Sequence, residues 1–176
     1  MAILPFSTIQ FHFMNKNGPV VIIEDDEDDQ LILKNVFEKL NYPNELIFFD
    51  NGQKALDFLT NTEILPFIIL SDINLPLLNG LELRNKIQLD FKLAIKCIPY
   101  LYLTTSLNQK TVIDAYSASA QGFFIKENKI SEIEKTIAAI MNYWMRCAAP
   151  NNFPKDESLN MVRPSTIEIP PLSRGM

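Results

Sequence analysis

Five side chains in this sequence could together bind a metal ion and a phosphoryl group. Each stands at the end of a short apolar run: Glu24 and Asp25, then Asp72, Thr104 and Lys126. Carboxylates that lie together repel one another, and they suit a hard divalent cation such as Mg²⁺, which takes oxygen ligands. A hydroxyl and an ammonium group nearby would bind the oxygens of a phosphoryl group. This chemistry requires a fold that brings the five side chains together.

The elements that must position these residues alternate between short apolar strands and amphipathic helices. Apolar runs at 19–23, 45–49, 66–71, 97–103 and 122–125 read as strands, and each is followed by a helical pattern. Five βα units in succession predict a parallel sheet with helices on both faces. We therefore expect an α/β fold of the flavodoxin-like, doubly wound type, with strand order 2-1-3-4-5 and five helices. Leu31, Leu89 and Ile130 are among the apolar residues expected on the buried helix faces.

The strand order decides where the polar residues meet. All strands of a parallel sheet point the same way, so their carboxyl ends share one edge. The first and third strands are neighbours in this order, which brings Glu24 and Asp25 close to Asp72. The sequence therefore predicts three converging carboxylates, with Thr104 and Lys126 along the same edge.

Composition excludes several other classes of protein. The 176 residues carry a formal net charge of −5 and a pI of about 4.9, which argues against nucleic-acid binding through a basic face. No apolar run approaches the ~18 residues of a membrane-spanning helix. Cys97, Cys147 and His12 offer no metal-ligand spacing, and the first thirteen residues lack the charged region of a signal peptide. We expect a cytoplasmic protein with reduced thiols.

The two ends of the chain differ from its middle. Residues 1–18 are interpreted as an N-terminal extension outside the fold, with Met14 a more natural start than Met1. Residues 19–146 form the predicted domain. Residues 147–176 contain five prolines and no apolar periodicity, which predicts a flexible tail.

Four motifs in order resemble the receiver domain of two-component response regulators, of the single-domain type. They are Ile22-Ile23-Glu24-Asp25-Asp26, Ser71-Asp72-Ile73-Asn74-Leu75-Pro76 with Gly80, Leu103-Thr104-Thr105-Ser106 and Gly122-Phe123-Phe124-Ile125-Lys126. The resemblance covers about residues 19–146. It implies a phosphoacceptor that signals through protein contacts and is not an enzyme, apart from slow self-dephosphorylation.

The resemblance also implies a role for each carboxylate. Asp72 would accept the phosphoryl group from a histidine kinase or a phosphotransfer protein. Glu24 and Asp25 would hold Mg²⁺ together with Asp72 and the main-chain carbonyl of Asn74. Glu24 stands where most members of the family have Asp.

The resemblance implies roles for three further residues, Thr104, Lys126 and Phe123. Thr104 would bind a phosphoryl oxygen, and Lys126 would pair first with the Asp72 carboxylate and then with the phosphoryl group. Phe123 occupies the position of the aromatic switch residue, although a plain core role fits it equally well. Most members have a proline after the lysine, often in a cis peptide bond, whereas this chain has Glu127. Because a cis bond before a non-proline residue costs ~2.5–4 kcal/mol, we expect a trans peptide here.

Other interpretations stay open at this point. The acids at 26–29 are interpreted as a solvated helix start, which the helix dipole favours. A haloacid-dehalogenase-type phosphatase would need a second carboxylate where Asn74 stands. A degenerate receiver, used as an interaction module without phosphorylation, has only Glu127 in its favour. The expected output surface is the 108–146 face, which would bind a downstream protein or a second copy in a phosphorylation-linked homodimer, without direct nucleic-acid contact.

Overall fold

Five parallel strands form one sheet in the computed structural model, which describes residues 15–105 and 108–147. The order across the sheet is β2-β1-β3-β4-β5, as predicted, and every pair is parallel. The strands are β1 (Val20–Ile23), β2 (Leu46–Phe49), β3 (Ile68–Ser71), β4 (Tyr100–Thr104) and β5 (Gly122–Ile125).

Six helices occur in the described part of the chain, one more than predicted. They are α1 (Glu27–Leu40), α2 (Gly52–Asn61), α3 (Gly80–Leu89), α4 (Phe91–Ala94), α5 (Gln109–Ser117) and α6 (Ile130–Arg146). The additional element is the single turn α4. Its N-cap Asp90 accepts hydrogen bonds from the amides of Lys92 and Leu93, and Leu93 is buried in the core. A one-turn helix has too few residues to show a periodic pattern, so the sequence did not reveal it.

The period-two alternation of the strands divides the core into two layers. Val21, Ile23 and Tyr102 face a layer covered by α2, α3, α4 and α5. Val20 and Ile22 face a second layer covered by α1 and α6. Both faces of the sheet are therefore covered, as a doubly wound fold requires.

Three residues predicted on buried helix faces are exposed: Leu31, Leu89 and Ile130. Leu31 lies two positions before the buried Leu33, and Leu89 lies two positions after the buried Ile87. Two residues turn a helix by about 200°, which places each on the opposite side. Ile130 is the first residue of α6, before the part of that helix that packs on the sheet. The prediction for these three was wrong.

The N-terminal boundary also differs from the prediction. Residues 15–18, interpreted as lying outside the fold, are hydrogen-bonded to it. The Asn44 side-chain amide donates to the carbonyls of Lys16 and Gly18, both at 2.7 Å, and the Asn15 amide donates to Leu65. The predicted extension at 1–14 and most of the predicted tail, 148–176, lie outside the described residues. No helix in the described part of the chain combines the length and the apolar character needed to cross a membrane.

Candidate functional site

Backbone hydrogen bonds fix the polar residues at the carboxyl edge of the sheet. The Glu24 amide donates to Phe49 of β2, and the Asp72 amide donates to Ile23 of β1, both at 2.9 Å. At the other side of the edge, the Lys126 amide donates to the carbonyl of Thr104, also at 2.9 Å. The hydrogen-bond ladder of the sheet thus continues one residue past the strand ends. It therefore fixes the backbone of Glu24, Asp72 and Lys126 at the sheet edge.

Three carboxylates meet at this edge. One oxygen from each of Glu24, Asp25 and Asp72 can be chosen so that all three lie within 4.8 Å of one another. Glu24 and Asp72 are buried, whereas Asp25 is exposed. Like charges held this close in a partly buried site favour a bound cation, and three carboxylate oxygens are hard ligands that fit Mg²⁺. The part assigned to the main-chain carbonyl of Asn74 stays a prediction.

The Asp72 carboxylate is oriented by its own loop. Its Oδ1 accepts a hydrogen bond from the amide of Ile73 at 2.5 Å and a longer one from Asn74 at 3.4 Å. Its Oδ2 lies 3.8 Å from Nζ of Lys126. One carboxylate oxygen is therefore held by backbone amides, while the other faces the lysine.

Gly80 closes this loop against the acceptor residue. The Gly80 amide donates to the carbonyl of Ile73 at 2.9 Å, and the Ser71 hydroxyl donates to the Asp72 carbonyl at 2.7 Å. A Cβ atom at position 80 would lie 2.2 Å from the Asp72 carbonyl oxygen. Only glycine allows the start of α3 to approach the Asp72 backbone this closely.

The Lys126 ammonium has nearer partners than Asp72. It pairs with Glu24 and lies 2.7 Å from Oδ2 of Asp29, while Asp72 is 3.8 Å away. The structure therefore places the expected Asp72 pairing third among its contacts. The interpretation of Asp29 as a purely solvated acid was wrong, because this residue reaches the site from the first turn of α1. No local pattern signalled this contact, because Asp29 lies at the start of α1 and Lys126 follows β5, 97 residues later in the chain.

Burial and charge shift the pKa values of this pair. Burial raises the pKa of Glu24 to about 7, although the hydrogen bond and the charge of Lys126 oppose the shift. Burial by itself would lower the pKa of Lys126, but its hydrogen bonds to Asp29 and Glu24 outweigh that effect and raise it. Lys126 therefore stays an ammonium at neutral pH, whereas Glu24 exchanges its proton there.

The peptide after Lys126 is trans, as expected from Glu127. No cis peptide bond occurs within residues 15–105 and 108–147. The turn that follows β5 therefore lacks the cis peptide bond that is common at this position in receiver domains.

A buried aromatic group, not predicted from the sequence, lies beneath the Asp72 loop. The hydroxyls of Tyr100 and Tyr102 both donate to the Gly80 carbonyl, at 3.1 and 3.2 Å. The ring of Phe123, half-buried on the neighbouring strand, lies 6.0 Å from that of Tyr102. Residues two positions apart in a strand share one face, and a buried tyrosine hydroxyl needs a hydrogen-bond partner. The Tyr-x-Tyr pattern in an apolar strand was therefore a sequence signal for this group. Phe123 therefore touches the group that supports the loop.

Arg84 of α3 extends this group towards α5. Its Nε and Nη2 donate to the carbonyls of Ala118 and Ser119, at 3.0 and 2.8 Å. Its guanidinium carbon lies 5.6 Å from the centre of the Tyr100 ring. A single buried side chain thus joins α3 to the residues that follow α5.

Comparison with known proteins gives consistent results. A family model described as the response regulator receiver domain matches residues 20–138. The probable methanogenesis regulatory protein FilR2 of Methanothrix harundinacea is 28% identical over 130 residues, which cover 72% of this chain and 83% of that protein. Response regulator Rcp1 of Synechocystis sp. is 28% identical over 131 residues, covering 72% of this chain and 88% of the relative. A crystal structure of the Mn²⁺-bound form of Rcp1 superposes with a TM-score of 0.66 at 27% identity, over 75% of this chain and 97% of that one.

Proposed function

Because the chain belongs to the response regulator receiver domain family of two-component signalling, we propose that it accepts a phosphoryl group on Asp72 and passes the signal on through protein contacts. One observation carries the assignment of the residue. Asp72 shares a partly buried edge with two more carboxylates within 4.8 Å, and its Oδ2 lies 3.8 Å from a lysine ammonium. An Asp that only capped a helix would not need two further carboxylates and a lysine beside it.

The donor would be a sensor histidine kinase or a phosphotransfer protein that carries a phosphohistidine. An Asp72 carboxylate oxygen attacks phosphorus, the new P–O bond gives an acyl phosphate, and the P–N bond breaks. The leaving imidazole keeps the electron pair of that bond and takes up a proton. Thr104 and Lys126 would bind the phosphoryl oxygens, and they are suited to this because both are held at the same sheet edge.

Mg²⁺ would be held by Glu24, Asp25 and Asp72, with the main-chain carbonyl of Asn74 as a fourth oxygen. When bound, the cation would supply positive charge that offsets the charge of the transferring group. The Mn²⁺-bound structure of the relative Rcp1 supports a divalent cation in this family.

The signal would leave through the 108–146 face. Ile113, Tyr116, Ile125 and Ile130 are exposed apolar residues on this face. Exposed apolar side chains of this kind are available to a protein partner, and the acidic charge of the chain does not favour nucleic acid. The partner would be a downstream protein or a second copy of the chain, and the site of action would be the cytoplasm.

The test is phosphorylation of the protein by acetyl phosphate in the presence of Mg²⁺, followed by intact-protein mass spectrometry. We expect one phosphoryl group per chain, which is lost in Asp72→Asn and kept in the control Asp57→Asn, an exposed acid on α2. A wild-type protein that never acquires the group would instead indicate a phosphorylation-independent interaction module. Rapid multiple turnover of phosphate esters would favour a phosphatase.

A further inference from the structure

We propose that Asp29 is a positioning residue for Lys126. Its carboxylate holds the lysine ammonium close to the Asp72 carboxylate without letting the two form a hydrogen bond. This inference rests on the proposed function, because it concerns how Asp72 is kept available for phosphoryl transfer. The four motifs do not include Asp29.

The position of Asp29 is set by the start of α1. Asp26 caps this helix, and its carboxylate accepts hydrogen bonds from the amides of Asp28 and Asp29, at 2.9 and 3.0 Å. The third residue of the helix is thereby fixed next to the sheet edge. From there the Asp29 carboxylate reaches Nζ of Lys126 at 2.7 Å, with 37% of its side chain exposed.

The Lys126 ammonium is hydrogen-bonded to Glu24 and Asp29 but not to Asp72. An ammonium has three N–H donors, and here two of its partners are Glu24 and Asp29, with Asp72 at 3.8 Å. A shorter contact would tie the Asp72 carboxylate into a hydrogen-bonded ion pair, which would weaken it as a nucleophile. Asp29 draws the ammonium away from Asp72 and leaves it within reach of a phosphoryl group attached there.

Asp29 also differs from Glu24 in its relation to the carboxylate cluster. Glu24 is a member of that cluster and Asp29 is not. A carboxylate oxygen that takes part in metal binding gives up part of its hydrogen-bonding capacity for Lys126. Asp29 is the partner for which a metal ion does not compete, so it is the one that keeps Lys126 in place when the site is loaded.

The first experiment compares the rates of Asp72 phosphorylation by acetyl phosphate in three variants. Asp29→Asn should slow the reaction about tenfold, the equivalent of one charge-assisted hydrogen bond. Asp29→Glu, which can still reach the ammonium, should restore the rate to within about twofold of wild type. Asp28→Asn removes the same charge from the same helical turn but is exposed, and it should stay within about twofold.

The second experiment asks whether Asp29 acts through Lys126. The Mg²⁺ dissociation constant, measured by calorimetry without any phosphoryl donor, should rise more in Asp29→Asn than in Asp28→Asn, because the released ammonium then competes for Glu24 and Asp72. In a Lys126→Met background, Asp29→Asn and Asp28→Asn should have equal effects. A merely structural role for Asp29 would act in both backgrounds alike.

The inference is overturned if Asp29→Asn matches Asp28→Asn when Lys126 is present, or if its effect is undiminished in Lys126→Met. A wild-type protein without a phosphoryl group on Asp72 would refute the proposed function. The calorimetric comparison would still decide the role of Asp29 in that case.

Discussion

Lys126 and Glu24 form an ion pair with only 8% and 3% of their side chains exposed. It joins residues that follow β5 and β1, two strands that are not neighbours in the sheet. Removing Lys126 would leave the buried Glu24 carboxylate without its counter-charge, whereas Lys126 would keep Asp29 as a partner if Glu24 were removed. The pair therefore fixes the geometry of the site across the width of the sheet.

The raised pKa of Glu24 predicts that Mg²⁺ affinity depends on pH. Burial lifts this pKa from 4.5 to about 7, so a proton competes with the cation near neutrality. Between pH 8 and pH 6 the dissociation constant for Mg²⁺ should rise about tenfold, as the carboxylate changes from mostly charged to mostly protonated. Calorimetry across this range measures the effect. In Glu24→Gln the Mg²⁺ affinity should be weaker at every pH, and its dependence on pH should flatten. An unchanged pH dependence in that variant would contradict the assignment of Glu24 as the titrating group.

The same pKa predicts how the metal-free protein responds to pH. Because the folded-state pKa lies above the ordinary value, protonation of Glu24 favours the folded state. This contribution is fully present below pH 4.5 and is lost as the pH rises through about 7. The free energy of unfolding in urea should therefore fall less between pH 5 and pH 8 in Glu24→Gln than in wild type. A steeper fall in the variant would show that the sign is wrong.

Gly80→Ala should destabilise the protein although it raises helix propensity. The new Cβ would meet the Asp72 carbonyl oxygen at 2.2 Å, and backbone cannot give way as a side chain can. We expect a loss of about 1–3 kcal/mol in the free energy of unfolding, together with slower phosphorylation, because the Asp72 loop must shift. Asn85→Ala, at an exposed position of the same helix, should change stability by no more than about 0.5 kcal/mol. Equal stability of the two variants would refute the close approach.

Arg84→Met should loosen the end of α5. The substitution keeps a long side chain but leaves the carbonyls of Ala118 and Ser119 without their donor, a loss of about 1–3 kcal/mol. Hydrogen exchange should accelerate at the C-terminal end of α5, while the amides of α1 stay protected. Lys86→Met, on the exposed side of α3, is the matched control. Unchanged exchange in Arg84→Met would show that the contact does not hold α5.

Phe123 and Phe124 allow a matched test of how the signal crosses the sheet. Adjacent in β5, they point to opposite core layers, and only Phe123 packs in the layer that contains Tyr102 and α5. Beryllofluoride with Mg²⁺ should shift the amide resonances of α5 in wild type and in Phe124→Leu. In Phe123→Leu the shifts should be smaller, which corresponds to a coupling reduced by about 0.5–2 kcal/mol. Equal shifts in both variants would leave Phe123 as a plain core residue.

The strand order and the carboxylate cluster could be predicted from the sequence because they depend on local patterns and on a rule of topology. Apolar runs that end at acids, separated by helix-length segments, determine which residues stand at the carboxyl edge. In the flavodoxin-like strand order β1 lies beside β3, so the approach of Glu24 and Asp25 to Asp72 follows from that fold type without any coordinates. Element boundaries and the single turn α4 were less accessible, because they depend on a few caps rather than on a repeating pattern.

The sequence by itself brought the predicted side chains to one edge of the sheet, and only the tertiary structure added Asp29 and decided which side chains pair. The lysine was expected beside Asp72, but its ammonium lies nearer to Glu24 and Asp29. That choice depends on the angle of α1 against the sheet and on differences of about an ångström between residues far apart in the chain. Periodicity fixes which edge a residue occupies, but not distances of that size. For the same physical reason, the hydrogen bonds of Tyr100, Tyr102 and Arg84 beneath the loop became visible only in the folded protein.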